Sequence, residues 1–428
     1  MFYSAYSWVR YTILMTLSQE LSWRGLVNQT TYKDISSLDG DPITFYWGVD
    51  PSSDSMTIGN LAAAMMVKSF MRHGHKAVLL IGGATGLIGD PDGKSSERDL
   101  KSLEEVEHNK QAIINQYKQI FEGQNFDVVD NYDWFKDMNY LDFLRDTGKH
   151  VPMRQMLSRD FVQTRLSENG AGISYAEFSY VLIQAYDFLH LYEQNSVTLQ
   201  VCGSDQWGNS IAGVDLIRRK TGGEANVYSV PLVVNKSTGV KFGKSEDGAI
   251  WLDANKTSAY KFYQFWLNVD DESVESYLKI FTELSQDDIQ AIMQQFTDNR
   301  GERAAQRALA FEATKLVHGQ ESADAVKLIS EVLSGGEDPH EFGAREFDIL
   351  EKEFPTAQVP REMNPENIVN ALVDTNLASS KSEARHFLAS GAVYINKVKM
   401  PESYRFDSDS NRAVIKRGKN SYAVLKIV

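Results

Sequence analysis

The sequence predicts an α/β protein: a doubly wound parallel sheet, then a run of helices, then a small basic module at the carboxyl end. Three observations carry this. Lys76 to Ile81 reads KAVLLI, a continuous apolar run closed by Gly82 and Gly83, as expected of a parallel strand buried on both faces. From Ser258 to about Glu331 no strand candidate interrupts the helical periodicity. Arg361 to Val428 carries 11 Lys+Arg against 7 Asp+Glu, a net of +4, within a chain whose formal net charge is -14.

In chain order, Thr44 to Trp47 is expected as the opening strand, and Leu61 to Arg72 as a helix built on Leu61, Met65, Met66, Val67 and Phe70, stopped by His73 and Gly74. Lys76 to Ile81 is the second strand and Ser196 to Cys202 a later one, again ending in glycine. In open α/β sheets ligands sit beyond the carboxyl ends of strands. Four of the ten prolines (Pro339, Pro355, Pro360, Pro365) crowd one acidic stretch, which reads as a linker. The expected division is a sheet domain over 15–250, a helical domain over 251–338, a linker over 339–363 and the terminal module over 364–428. No internal repeat is visible.

At 428 residues the chain exceeds what one core usually organises. With 42% hydrophobic and 24% charged residues it has no disordered or low-complexity bias. The only cysteine, Cys202, excludes an internal disulfide and a cysteine-based metal site, so no metal is expected and a reducing compartment is favoured. No apolar run approaches the ~18 residues of a membrane span. A cytoplasmic protein without membrane attachment is expected. The acidic balance argues against one large nucleic-acid surface, whereas a locally basic module fits an RNA partner held at its own footprint.

Five segments can carry chemistry. Gly48, Asp50 and Ser52 follow the first strand, and Thr57, Gly59 and Asn60 lie where a helix start offers free N–H groups to phosphate. Alone, this is equally an ordinary strand–turn–helix connection. Gly82 to Asp90 is glycine-rich but lacks the P-loop spacing and lysine. Its Asp90 would better hold an ammonium group, unless the glycines serve packing only. Tyr180, Gln184 and Asp187 share one helical face at i, i+4 and i+7, which suits a small zwitterionic ligand bearing a hydroxyl or a buried helix bonded to itself. Gly203, Asp205 and Gln206 end another strand, where a carboxylate can accept from ribose hydroxyls. Lys241, Lys244 and Ser245, in KFGKS, place two ammonium groups that can follow charge onto a departing pyrophosphate.

Together, in this order, the segments resemble the bacterial-type tyrosyl-tRNA synthetases, class I aminoacyl-tRNA synthetases, over Met15 to Val428. Residues Thr57 to Asn60 stand where that family has its His-Ile-Gly-His signature, and Lys241 to Ser245 where it has Lys-Met-Ser-Lys-Ser. Leu21 to Thr30 also resembles the family's first helix and turn. The resemblance implies a Rossmann-like catalytic domain, a helical anticodon-binding domain and a small α+β S4-like RNA-binding domain. It implies L-tyrosine, ATP with Mg2+ and tRNA(Tyr) as substrates, no bound organic cofactor, and a homodimer with its interface near Phe143 to Leu166.

By the same matching, Tyr46 and Asp187 would grip the phenolic hydroxyl, and Asp90, Tyr180 and Gln184 the ammonium group, with Gln206 close by. Gly203 and Asp205 would take the ribose, and Asp50 would orient the amino acid or nucleotide. Lys94 and Arg98 resemble mobile basic residues that meet pyrophosphate. In Leu377 to Asn396, Lys381 and Arg385 lie one helical turn apart, as phosphate contacts or a surface ion-pair set would. The departure is at the first signature, where threonine and asparagine replace the two histidines. An RNA-binding protein that has lost catalysis, and a nucleotidylyltransferase for another acid, remain the alternative readings. Residues 1–14 lie outside the resemblance, which makes Met15 an expected start.

Overall fold

The computed structural model describes residues 15–91, 100–157, 160–167, 169–234, 244–245, 248–335, 342–400, 404–407, 410–418 and 421–428. They form two compact units, one within residues 1–257 and 269–309, the other within 258–268 and 310–428. The helical stretch after residue 258 is shared between them.

The first unit is built on a six-stranded sheet of β1 (Gln29–Thr30), β2 (Thr44–Val49), β3 (Lys76–Ile81), β4 (Phe126–Asp130), β5 (Val197–Gly203) and β6 (Asn226–Val230). Their order is β1-β6-β5-β2-β3-β4, all parallel except β1. The chain runs outward from β2 through β3 to β4, then returns to place β5 on the other side of β2. That reversal makes the carboxyl ends of β2 and β5 the switch point.

Alternation along β2 assigns its faces. Phe45 and Trp47 point one way, where Phe45 meets Phe70 of helix α1 (Ile58–Arg72) at a 5.1 Å centroid distance and Trp47 meets Tyr117 of helix α2 (Leu103–Ile120) at 5.6 Å. Tyr46 points the other way, 5.2 Å from the ring of Phe188 on helix α3 (Tyr175–Asn195). The core on this face joins Tyr46, Val78 and Leu80 to Val181, Ala185 and Phe188 of α3 and to Leu216 and Ile217 of helix α4 (Trp207–Thr221). Helix α3 begins with a capping box: Ser174 Oγ accepts from Glu177 N at 3.2 Å and Glu177 Oε2 accepts from Ser174 N at 3.2 Å. A short hairpin, β7 (Lys244–Ser245) with β8 (Gly248–Ala249), follows the sheet.

In the second unit, β9 (Thr356–Val359), β10 (Val393–Ile395), β11 (Val398–Lys399), β12 (Arg412–Arg417) and β13 (Ser421–Ile427) form a sheet of order β11-β10-β12-β13-β9. One face buries Ile395, Ile415 and Leu425 with Ile368 and Leu372 of helix α7 (Pro365–Asp374) and Ala384 of helix α8 (Lys381–Ala389). The other buries Val414 and Val424 with Ile329 and Leu333 of helix α5 (Gln320–Ser334) and Phe347 and Leu350 of helix α6 (Ala344–Glu353). This corrects the expected linker over 339–363. That stretch holds α6 and β9, and β9 pairs in parallel with β13. Pro355 and Pro360 bracket β9 rather than break it, since a proline just outside a strand removes no ladder donor.

Candidate active site

The switch point opens into a cleft of about 400 Å³. Its lining includes Tyr46, Gly48, Asp50, Ser52, Thr57, Gly59, Asn60, Asp90, Tyr180, Gln184, Asp187, Gly203, Asp205 and Gln206. Four of the five segments that can carry chemistry therefore converge on one cavity. Lys94, Arg98 and Lys241 lie outside the described residues, as do the side chains of Lys244 and Ser245, whose backbone forms β7.

One end of the cleft is buried and polar. The Tyr46 side chain is 1% exposed and its hydroxyl has no hydrogen-bond partner among the described residues. Asp187, 2% exposed, accepts from Asn131 Nδ2 at 3.1 Å and from Trp134 Nε1 at 2.9 Å. Burial drives its carboxyl well above the usual carboxylate range, opposed by those two hydrogen bonds. Burial likewise raises the Tyr46 phenol well above its ordinary value, followed by the charge of Asp187, so Tyr46 stays a neutral donor. Trp134 is itself held by stacking on His190, with centroids 4.4 Å apart.

The middle of the cleft is a carboxylate network. Tyr180 Oη donates to Asp50 Oδ2 at 2.7 Å and Thr85 Oγ1 donates to Asp50 Oδ1 at 2.6 Å. Gln206 Nε2 donates to Asp90, and Asn209 Nδ2 donates to Gln206 Oε1 at 3.0 Å. The Gln184 Oε1 and Gln200 Oε1 atoms are buried without partners among the described residues. The glycines expected either to bind or to pack are here for packing: a Cβ on Gly82 would lie 2.1 Å from Asp50 Oδ1, and one on Gly83 2.2 Å from Asp130 Oδ1. Only glycine lets β3 end this close to those carboxylates.

The open end carries the start of α1. Asn60 Oδ1 accepts from Thr57 N at 3.0 Å and from Thr57 Oγ1 at 3.2 Å. The asparagine oxygen is thereby turned back to the helix cap, which points its Nδ2 donors away from the cap.

Residues 38–333 match the family model for class I tRNA synthetases (W and Y), and residues 346–425 match the tyrosine–tRNA ligase SYY-like C-terminal domain. The chain belongs to the class I tRNA synthetases. Tyrosine–tRNA ligases of Pediococcus pentosaceus and Geobacillus kaustophilus are 45% and 44% identical to it, over 96% of this chain and 100% of theirs. Among solved structures, a C-terminally truncated mitochondrial tyrosyl-tRNA synthetase of Aspergillus nidulans superposes with a TM-score of 0.67 at 30% identity, covering 74% of this chain and 94% of that one.

In this synthetase Lys381 and Arg385 are exposed on α8, and both reach Glu366 on α7, at 3.5 and 3.1 Å. Such exposed pairs exchange readily for other anions. Sequence reasoning missed Thr85, Asn131, Trp134 and Gln200. Asn131 and Trp134 directly follow the carboxyl end of β4, so recognising Phe126 to Asp130 as a strand would have flagged them by the strand-end rule.

Proposed function

We infer that this chain is a tyrosine–tRNA ligase that activates L-tyrosine with ATP and transfers it to tRNA(Tyr). The observation that carries the reading is that two polar atoms of one cleft, the Tyr46 hydroxyl and the Gln184 amide oxygen, are buried without a partner among the described residues. A buried polar group without a partner costs about 1–3 kcal/mol, so the site is built for a ligand that supplies both partners. Tyrosine supplies a phenolic hydroxyl and an ammonium group at opposite ends.

The substrate hydroxyl donates to Asp187 and accepts from Tyr46. Phenylalanine would leave the Tyr46 hydroxyl unpaired and give Asp187 no third donor, a basis of discrimination for which tyrosine-specific synthetases are themselves the standard illustration. Asp90, Tyr180 and Gln184 take the ammonium group; the Tyr180 hydroxyl spends its hydrogen on Asp50 as a hydrogen-bond donor and so offers the ammonium group a lone pair. Gly203 and Asp205 hold the ribose, and Gly48, Asp50, Ser52 and Gly59 the rest of the nucleotide. A tyrosine carboxylate oxygen then bonds to the α-phosphorus of magnesium-complexed ATP while the bond to the bridging oxygen breaks, and pyrophosphate leaves with the electron pair. Thr57, Asn60, Lys241, Lys244 and Ser245, with Lys94 and Arg98, stabilise the charge on the phosphates. The terminal ribose hydroxyl of tRNA next attacks the acyl carbon and AMP departs. No protein nucleophile is needed.

The S4-like module, through Lys381 and Arg385, holds the RNA, and the helical region meets the anticodon. Exposed Tyr140, Leu141, Met153, Leu157 and Leu166 support a homodimer through the segment near Phe143 to Leu166. No helix among the described residues is long and apolar enough to cross a membrane, in keeping with work in the cytoplasm. Tyrosine-dependent ATP–pyrophosphate exchange, with phenylalanine and tryptophan as controls, tests the reading. Exchange with tyrosine alone is expected; exchange with none of the three, or with tryptophan instead, would sink it.

A further inference from the structure

The segment after the second signature returns to the first. Ile58 N donates to Ile250 O at 3.1 Å, Leu252 N donates to Met56 O at 2.9 Å, and Thr57 and Trp251 form an antiparallel bridge. Asp253 N donates to Ser55 Oγ at 3.1 Å, and Gln116 of α2 braces the same turn by donating to Ser55 Oγ at 2.8 Å and accepting from Met56 N at 2.8 Å. A closed turn, with Lys256 N and Thr257 N both bonded to Asp253 O, then folds the chain back. It brings the Lys256 ammonium 4.8 Å from the centroid of Trp251 and into an ion pair with Asp54. The pair is about a third exposed, at 30% and 34%, and none of its members belongs to the amino-acid end of the cleft.

We propose that Asp54 and Lys256, with the Lys256 ammonium over the Trp251 ring, are positioning residues that lock residues 250–252 against Met56–Ile58 and so set where the β7–β8 hairpin bearing Lys244 and Ser245 stands relative to Thr57 and Asn60. The catalytic role of those signature residues rests on the proposed function; the lock itself does not. Only a few residues separate Lys244 from Ile250, so a slip of this ladder is transmitted directly to the hairpin. The amino-acid end, held by β2, β4 and α3, does not share it. Loss of the lock therefore lowers turnover at the phosphates while leaving the affinity for tyrosine unchanged.

The test uses full-length Asp54→Asn, Lys256→Met, the double variant and the charge swap Asp54→Lys/Lys256→Asp. Each single substitution is expected to lower kcat of tyrosine-dependent pyrophosphate exchange about five- to tenfold. The KM for tyrosine stays within twofold, the double variant is no worse than the worse single, and the swap recovers part of the loss. Independently of activity, tryptic cleavage after Lys244, followed by mass spectrometry, is expected to be about fivefold faster in both singles. Unchanged kcat and cleavage in either single variant, or tyrosine KM rising in step with the fall in kcat, overturns the proposal. If the unaltered chain catalyses no exchange with tyrosine, the enzyme reading fails, and the cleavage rates still decide the lock.

Discussion

Replacing Tyr46 by phenylalanine separates what the hydroxyl does for the fold from what it does for the substrate. In the ligand-free protein that hydroxyl is buried in a 1% exposed side chain and unbonded among the described residues, so its removal takes away a polar group that earned no hydrogen bond there. The ring keeps its 5.2 Å contact with Phe188. The fold should be unchanged or stabilised by up to about 1 kcal/mol, a rise of roughly 0–4 °C in the melting of the sheet unit. With tyrosine bound, one hydrogen bond worth about 1 kcal/mol is lost, so kcat/KM for tyrosine falls about fivefold. Phenylalanine never used that bond, and its kcat/KM should stay level or rise. Pyrophosphate exchange measured with each amino acid, beside a thermal melt, gives both quantities. A parallel fall for both amino acids, or melting more than about 4 °C lower, would refute the reasoning.

Four further outcomes are expected. Trp134→Phe removes the 2.9 Å donor to Asp187 and should raise KM for tyrosine about fivefold, as loss of a hydrogen bond worth about 1 kcal/mol does, with KM for ATP unchanged in the same exchange assay. Arg165 and Glu177 form a 2.9 Å ion pair, each 4% exposed; Arg165→Met alone should cost about 3–5 kcal/mol in urea unfolding, and Arg165→Met with Glu177→Leu should recover most of it. Burial pushes the Cys202 thiol from 9.0 up to about 12, so the native chain should resist iodoacetamide at pH 8 about a hundredfold better than the unfolded chain, read by mass spectrometry of this single cysteine. Because the folded pKa is the higher one, that thiol's contribution to stability is complete below pH 9 and is lost as pH rises towards 12. Thr57→His restores an imidazole at the phosphate end and should speed tyrosyl-adenylate formation about fivefold; an unchanged or slower rate in single turnover would show that Thr57 is no handicap.

Much of this chain was legible in one dimension. The apolar run of β3 and the glycine that ends β5 declare a parallel sheet because burial on both faces of β3 leaves no room for polar alternation. The helical spacing of Tyr180, Gln184 and Asp187 declares a shared face because 3.6 residues per turn is a property of the backbone alone. What stayed hidden depends on partners far away in sequence. The prolines around β9 looked like a linker, since nothing local says that Val424 to Ile427 would lie alongside as a parallel strand. The grip on Asp187 comes from Asn131 and Trp134, more than fifty residues away, and is created only when β4 is laid against β3. By itself the sequence determined the elements and the chemical types available to the cleft. Only the tertiary structure decided which polar atoms would be paired within the protein and which would be left waiting for a ligand, because hydrogen bonding reads distance in space and not along the chain.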